Sequence, residues 1–357
     1  MYEVFYGLTG KPFQLNPDPA FYFGSRGHKR AFAYLQYGVH QSEGFIVITG
    51  EIGAGKTTVV RSLFEQLDRN HLVAAQLVST QLDADDMLRS IAAAFGLPAR
   101  AVDKATLLAS LEAFLCQLAV GRKRALLVVD EAQNLTPRAV EELRMLSNFQ
   151  LGDQALLQSF LIGQPELRTM MQGAQMQQLR QRVIASYHLG PLDKAETRAY
   201  IEHRLAHVGW KGDPQFEPDA LDLIHIASGG IPRRINTLCN RLMLAGFLGE
   251  KHKFEAGDVQ AIAREIRDEL GPEASVVALA STQARESLIA DSRTQAREPA
   301  IADSTTSNDS AMWLAHVREI EQRIERLEKT MGSAVDLLHR LLHREPGAKP
   351  GNPAAKR

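Results

Sequence analysis

The sequence predicts an α/β fold: a parallel sheet with helices on both faces, then a small all-helical domain and a coiled-coil-like helix near the C-terminus. Three observations point there. The apolar run FIVIT (45–49) leads straight into GEIGAGKTT (50–58), a glycine-rich loop of the kind that joins a strand to a helix. From 45 to 190, β-rich runs alternate with helix-period segments, as in sheets whose parallel strands are joined by covering helices. From 192 to 268 the pattern turns almost wholly helical.

Taken in order, residues 1–44 hold ten of the chain's 23 aromatic residues, interleaved with turn formers as in LNPDPAFYFG. The segment is expected to be an ordered lead-in packed on the core of the following domain, with some of its rings able to wall a ligand site. Residues 45–191 form the α/β domain. Strands are expected at FIVIT, LVAAQLV (72–78), ALLVVD (125–130), SFLIG (159–163) and SYHLG (186–190). VVRSLFEQL (59–67) carries Val60, Phe64 and Leu67 on one helical face. Residues 192–270 form the helical domain, with Pro232 at a helix start, where its missing N–H costs nothing. Residues 271–311 lose periodicity, and STQARESLIADS (281–292) recurs as RTQAREPAIADS (293–304) with 9 of 12 positions identical, a duplicated flexible linker. Residues 312–345 regain order: Trp313, Val317, Ile320, Ile324, Leu327 and Met331 begin a heptad stripe that runs to Leu341. Residues 346–357 are a disordered Pro/Gly/Lys tail.

Composition narrows the function. The chain has 357 residues, 41 Lys and Arg against 42 Asp and Glu, and a formal net charge of −1, so no global basic field argues for nucleic acid. Its two cysteines, Cys116 and Cys239, have no metal-ligand spacing and are expected to be buried thiols in a reducing compartment. No apolar run approaches the ~20 residues that span a bilayer, and MYEVFYGLTGKPF lacks the pattern of a signal peptide. The expected location is the cytoplasm, or the inner-membrane surface through a partner.

The chemistry starts at the loop. Gly50, Glu51, Ile52, Gly53, Ala54, Gly55, Lys56, Thr57 and Thr58 fit G-x-x-x-x-G-K-[ST], whose backbone N–H groups and following helix N-terminus attract phosphate oxygens. Lys56 can reach the β- and γ-phosphates, and the Thr57 hydroxyl can ligate Mg2+. In ALLVVDEAQNL (125–135), apolar residues run into Asp130 and Glu131 at a strand end, where ligands of parallel sheets bind. Asp130 is expected to hold the Mg2+, and Glu131 to orient the attacking water. In FLIGQPEL (160–167), Gln164 closes another strand and can sense the γ-phosphate or help place the water. Arg180 and Arg182 precede the last strand and suit a finger reaching a neighbouring subunit's nucleotide. Arg233, in GGIPRRIN, begins a helix from which it could contact the γ-phosphate.

Together PFQLNPDPAFYF, GFIVITGEIGAGKTT, LLVVDEAQNL, LIGQPELR, QRVIASYHLGPL and GGIPRRIN resemble the ExeA-type AAA+ ATPases, the general secretion pathway protein A family, over residues 1–268. Within that family, the chain resembles the secretion ATPases that accompany exosortase and exopolysaccharide loci. The resemblance implies a P-loop AAA+ sheet of order 5-1-4-3-2, a helical lid, Mg-ATP as the nucleotide, and ring-like homo-oligomers. It also implies Gln164 as sensor 1 and Arg233 as sensor 2. The implied function is ATP hydrolysis that drives or regulates assembly of a secretion or exopolysaccharide export system, with an envelope export protein as partner. The alternative is a DNA-associated AAA+ regulator of the transposition type; it needs a basic face, and it is disfavoured because the sequence pI is about 6.8 and the nucleotide site explains the clearest arginine pairs. No N-K-x-D guanine-reading motif occurs. The chain departs from the family at Ser186, where members often carry a further arginine, so the finger rests on Arg182, with Arg180 second. Membrane-spanning members continue into a transmembrane helix and a peptidoglycan-binding module, where this chain has its linker and heptad helix.

Overall fold

Five runs become strands, the central three buried along nearly their whole length and the two at the edges only in part. They are β1 (Phe45–Gly50), β2 (Leu72–Leu77), β3 (Arg124–Val129), β4 (Leu157–Gly163) and β5 (Val183–Leu189). All are parallel and hydrogen-bond in the order β5-β1-β4-β3-β2, the order the resemblance implied. The computed structural model describes residues 1–270 except 17, 42, 69, 79–82 and 101. The expected linker, heptad helix and tail therefore lie outside the described residues.

Helices α1 (Tyr2–Phe5), α2 (Arg26–Gln41) and α3 (Lys56–Gln66) are followed by α4 (Ala84–Ala94), α5 (Lys104–Val120), α6 (Pro137–Leu146), α7 (Pro165–Gln172) and α8 (Gln177–Arg180). Strand side chains alternate between faces, so each strand feeds two layers. Ile46, Ile48, Leu126, Val128, Phe160 and Ile162 pack with Ala31 and Leu35 of α2 and with Val59 and Leu63 of α3. Phe45, Val47, Leu127, Val129 and Leu161 pack on the other side with Met87, Leu111, Leu143, Leu167 and Leu179 from α4 to α8. The sequence pattern showed the strands but not the division of residues 84–120 into two helices.

The helical domain comprises α9 (Lys194–His207), α10 (Pro218–Ser228), α11 (Pro232–Leu248) and α12 (Ala256–Leu270). Asp193 and Glu196 form a reciprocal capping box at the start of α9. Gly229 ends α10 in the left-handed conformation, and Pro232 sits at the first turn of α11, as expected. A two-residue parallel pairing of Gln215–Phe216 with Lys253–Phe254 ties the domain's loops together. That pairing is too short to leave a periodic trace in the sequence.

The N-terminal segment corrects an expectation. Residues 1–44 do not pack as one lead-in on the α/β core. Tyr2, Tyr6, Leu8 and Phe13 are buried among Tyr200, Ile201, Leu205, Ile235 and Leu242 of the helical domain, whereas α2 covers the sheet. The physical reason is Arg204. Its buried guanidinium donates to the carbonyls of Pro12 (2.5 Å) and Gln14 (3.2 Å) and to the Tyr200 hydroxyl (2.9 Å). It also lies 4.7 Å from the centroid of the Phe21 ring. Cys239 is buried, and burial pushes its thiol up, but Cys116 is only half-buried.

Arg204→Met should therefore remove the guanidinium donor from the Pro12 carbonyl, leave the Gln14 carbonyl only Asn236 Nδ2 at 3.4 Å, and cost about 2–4 kcal/mol. Chemical denaturation measures the loss. Limited proteolysis is expected to cut the variant first within residues 1–23.

Candidate functional site

Strand β1 ends at Gly50, and the loop that follows turns back on itself before α3 begins at Lys56. Gly53 and Gly55 have φ of +82° and +98°, a region that disfavours residues with a Cβ. Space forbids a Cβ as well. At Gly53 it would lie 2.3 Å from Arg233 Cβ, and at Gly55 2.6 Å from His28 Nε2. The Gly53 carbonyl accepts from the Arg233 backbone N–H (3.1 Å), so the first turn of α11 rests directly on the loop.

Lys56 is buried, and its Nζ donates to the carbonyls of Gly50 (2.7 Å) and Glu51 (3.0 Å). Burial pulls the Lys56 pKa below the ordinary lysine value, and the Glu131 and Asp130 carboxylates oppose that shift. Thr57 Oγ1 donates to Asp130 Oδ2 at 3.0 Å, which joins the loop to the end of β3. Asp130 is buried, and its Oδ1 accepts the Glu131 N–H (3.0 Å). Burial raises the Asp130 pKa, against the hydrogen bond from Thr57.

Glu131 adopts φ +55°, a left-handed conformation that costs a non-glycine residue energy and tends to mark functional sites. Two amides clasp its Oε2: Gln133 Nε2 at 2.6 Å and Gln164 Nε2 at 2.9 Å. Gln133 Oε1 in turn accepts the Gln164 backbone N–H (3.0 Å), closing a small ring of hydrogen bonds between β3 and β4. Partial burial works to raise the Glu131 pKa, but the two amides and Lys56 outweigh it and hold the carboxyl below the usual range. Beside this group, Thr49 Oγ1 and His188 Nδ1 are 3.0 Å apart across β1 and β5.

Lys56, Thr57, Asp130, Glu131 and Gln164 thus converge at the C-terminal ends of β1, β3 and β4, and Arg233 joins them through its backbone. The glycine cradle and Lys56 suit a polyphosphate. The Thr57 hydroxyl and Asp130 carboxylate are a donor set that suits a hard divalent cation. The two arginines stand apart. The Arg182 carbonyl accepts from Phe45 N, at the opposite end of β1, about 16 Å of strand away from the loop. Its guanidinium donates to Ser147 Oγ (2.7 Å) and Asn148 Oδ1. Arg180 donates to the carbonyls of Met171 (2.6 Å) and Gly173 (2.9 Å). Both are thus held far from the loop of their own chain. Gln133 and His28 were not singled out in the sequence. Gln133 lay in plain view within DEAQ, but nothing in the pattern links His28 to a loop more than twenty residues onward.

A family model described as an AAA domain matches residues 39–171. General secretion pathway protein A of Aeromonas hydrophila is 42% identical over 274 residues, 75% of this chain and 50% of that protein. The aligned region thus spans about half the length of that curated relative. Among solved structures, ORC2 of Aeropyrum pernix, in ADPNP–ADP complexes, aligns with TM-score 0.52 and 19% identity over 67% of each chain. Drosophila ORC bound to DNA aligns with TM-score 0.52 and 16% identity over 71% of this chain and 62% of that one. These structural likenesses describe the fold.

The contact of Gly53 with α11 yields a prediction. Gly53→Ala must strain φ and push Arg233 away, a cost of about 1–3 kcal/mol. A lowered unfolding free energy in urea is expected, together with faster hydrogen exchange at the Arg233 amide.

Proposed function

The chain belongs to the ExeA-type AAA+ ATPases of the general secretion pathway protein A family, and from that premise we propose that it binds Mg-ATP and hydrolyses it to drive or regulate assembly of a secretion or exopolysaccharide export system. The observation that carries the nucleotide reading is the Thr57–Asp130 hydrogen bond of 3.0 Å beside a clasped Glu131. It joins the loop suited to phosphates, the pair suited to a cation and a carboxylate able to polarise water.

In this reading backbone N–H groups of the loop after Gly50, other than that of Ala54, bind the phosphates, and Lys56 exchanges its two carbonyl partners for the β- and γ-phosphates. Thr57 and Asp130 would hold Mg2+, which when bound supplies neutralising charge to the phosphate oxygens. Glu131 orients the attacking water and takes up its proton. Gln164, through its amide on Glu131, reports the state of the γ-phosphate end of the site. Arg233 reaches the same end from the lid. Arg182, with Arg180 as second candidate, serves the site of an adjacent copy in a ring, since strand β1 separates both from the loop of their own chain. The heptad stripe that ends at Leu341 would tether the ring to itself or to an envelope partner. Among the described residues no helix is long and apolar enough to cross a membrane.

Lys56→Ala is expected to abolish measurable nucleotide binding, whereas Glu131→Gln should bind like wild type and hydrolyse at least about 100-fold more slowly. Titration with a fluorescent ATP analogue and phosphate-release assays separate the two. Glu131→Gln turnover at the wild-type rate would contradict the water-orienting role.

For the finger, Arg182→Ala and Glu131→Gln subunits should each be inactive alone and recover activity when mixed, because an intact site can then receive an intact arginine. Phosphate release across mixing ratios checks this, with mixed oligomers confirmed by differently tagged subunits. Absence of recovery in confirmed mixed oligomers would remove the shared site.

A further inference from the structure

His28 lies on α2, outside every motif in the sequence, yet it is buried directly behind the glycine loop. Its Nε2 and the Ala54 carbonyl are 3.0 Å apart. A carbonyl only accepts, so Nε2 carries the hydrogen and donates. On the other side of the ring, Nδ1 lies 2.7 Å from Ser25 Oγ. That hydroxyl also accepts the His28 backbone N–H (3.2 Å), so Ser25 fixes the tautomer and the ring plane together. Burial lowers the His28 pKa, in keeping with a neutral ring. The Tyr22 ring stands edge-on to the imidazole, 6.2 Å between centroids.

The consequence lies in the geometry of one peptide. The Ala54 C=O and the Gly55 N–H belong to the same planar trans unit and point in opposite directions. A donor that holds the Ala54 oxygen on the α2 side therefore turns the Gly55 N–H to the opposite face of the loop. No acceptor among the described residues takes that N–H. The neighbouring Ala54 N–H, by contrast, is consumed within the loop by the Glu51 carbonyl (3.1 Å). Contact is so close that a Cβ on Gly55 would lie 2.6 Å from Nε2, so glycine at 55 and histidine at 28 fit as a pair.

We propose that His28, anchored by Ser25, is a positioning residue for nucleotide binding: its Nε2–H holds the Ala54 carbonyl and thereby aims the Gly55 N–H at a phosphate oxygen. The inference rests on the nucleotide reading above and adds a residue that works from behind the loop. His28 touches no phosphate itself. It removes the freedom of the Ala54–Gly55 peptide to flip, so that one donor of the cradle is oriented before any ligand arrives.

Two amide variants separate this role from simple core filling. The side-chain nitrogen of Gln at position 28 can occupy the place of Nε2, whereas that of Asn falls near Nδ1. Affinity for fluorescent ATP and ADP analogues is measured on the full chain, beside unfolding midpoints without nucleotide. His28→Asn is expected to raise the Kd for both about tenfold, and His28→Gln to stay within about threefold of wild type. Their unfolding midpoints should be alike. Unchanged affinity in His28→Asn, or equal losses in both variants, overturns the proposal. Ser25→Ala keeps the ring and removes its anchor. It should weaken binding by about threefold, and unchanged affinity there overturns the proposal even if His28→Asn does not fold. Lys56→Ala is the reference. A wild-type chain that binds no better than Lys56→Ala removes the nucleotide reading itself, whereas wild-type binding with indifferent His28 variants removes only this inference.

Discussion

Strand β1 is hydrogen-bonded to β4 on one side and β5 on the other, and the site depends on that central seat. With β3 next to β4, the C-terminal ends of β1, β4 and β3 lie side by side. The glycine loop leaves β1 there, Gln164 leaves β4, and the Asp130–Glu131 pair leaves β3. A different strand order would place the same residues too far apart for the 2.9–3.0 Å contacts that join them. Because every strand is parallel, all these ends face one edge of the sheet. The same parallelism places Arg180 and Arg182 at the other edge, away from the loop of their own chain.

Three different parts of the chain hold the loop from outside. α11 donates the Arg233 N–H to Gly53, β3 takes the Thr57 hydroxyl on Asp130, and α2 donates His28 to Ala54. The helical domain and the sheet therefore meet at the loop rather than merely beside it. The N-terminal segment strengthens the link. Its first residues sit in the helical domain through Arg204, while α2 begins with Arg26 hydrogen-bonded to Glu196 at the capping box of α9. A shift of the helical domain must move Gly53 or break one bond, and it pulls on the segment that carries Ser25 and His28.

Much of this was legible in the residue order, and the reason is local. The glycine loop, the apolar run into Asp130–Glu131 and the strand-closing Gln164 each obey short-range rules of backbone freedom, burial and strand ends, so periodicity and spacing reveal them. The five strands were found within a few residues of their ends. Pro232 and the glycines before it announced the break between α10 and α11 because proline and glycine act on their own dihedral angles.

What the residue order did not disclose is every pairing between distant segments that no local pattern encodes. The aromatic N-terminus reads as packed, but only the tertiary structure assigns Tyr2, Tyr6 and Phe13 to the helical domain, because an apolar ring buries equally well against either core. Gln133 reads as a loop residue until β3 and β4 lie adjacent and its amide spans Glu131 and Gln164. His28 belongs to no motif in the sequence, and its partner Ala54 is backbone, which leaves no side-chain signature at all. The sequence by itself determined the loop, the carboxylates and the strands, since each depends on neighbours along the chain. The tertiary structure decided which carbonyl meets which donor, since those contacts depend on how helices pack over the sheet.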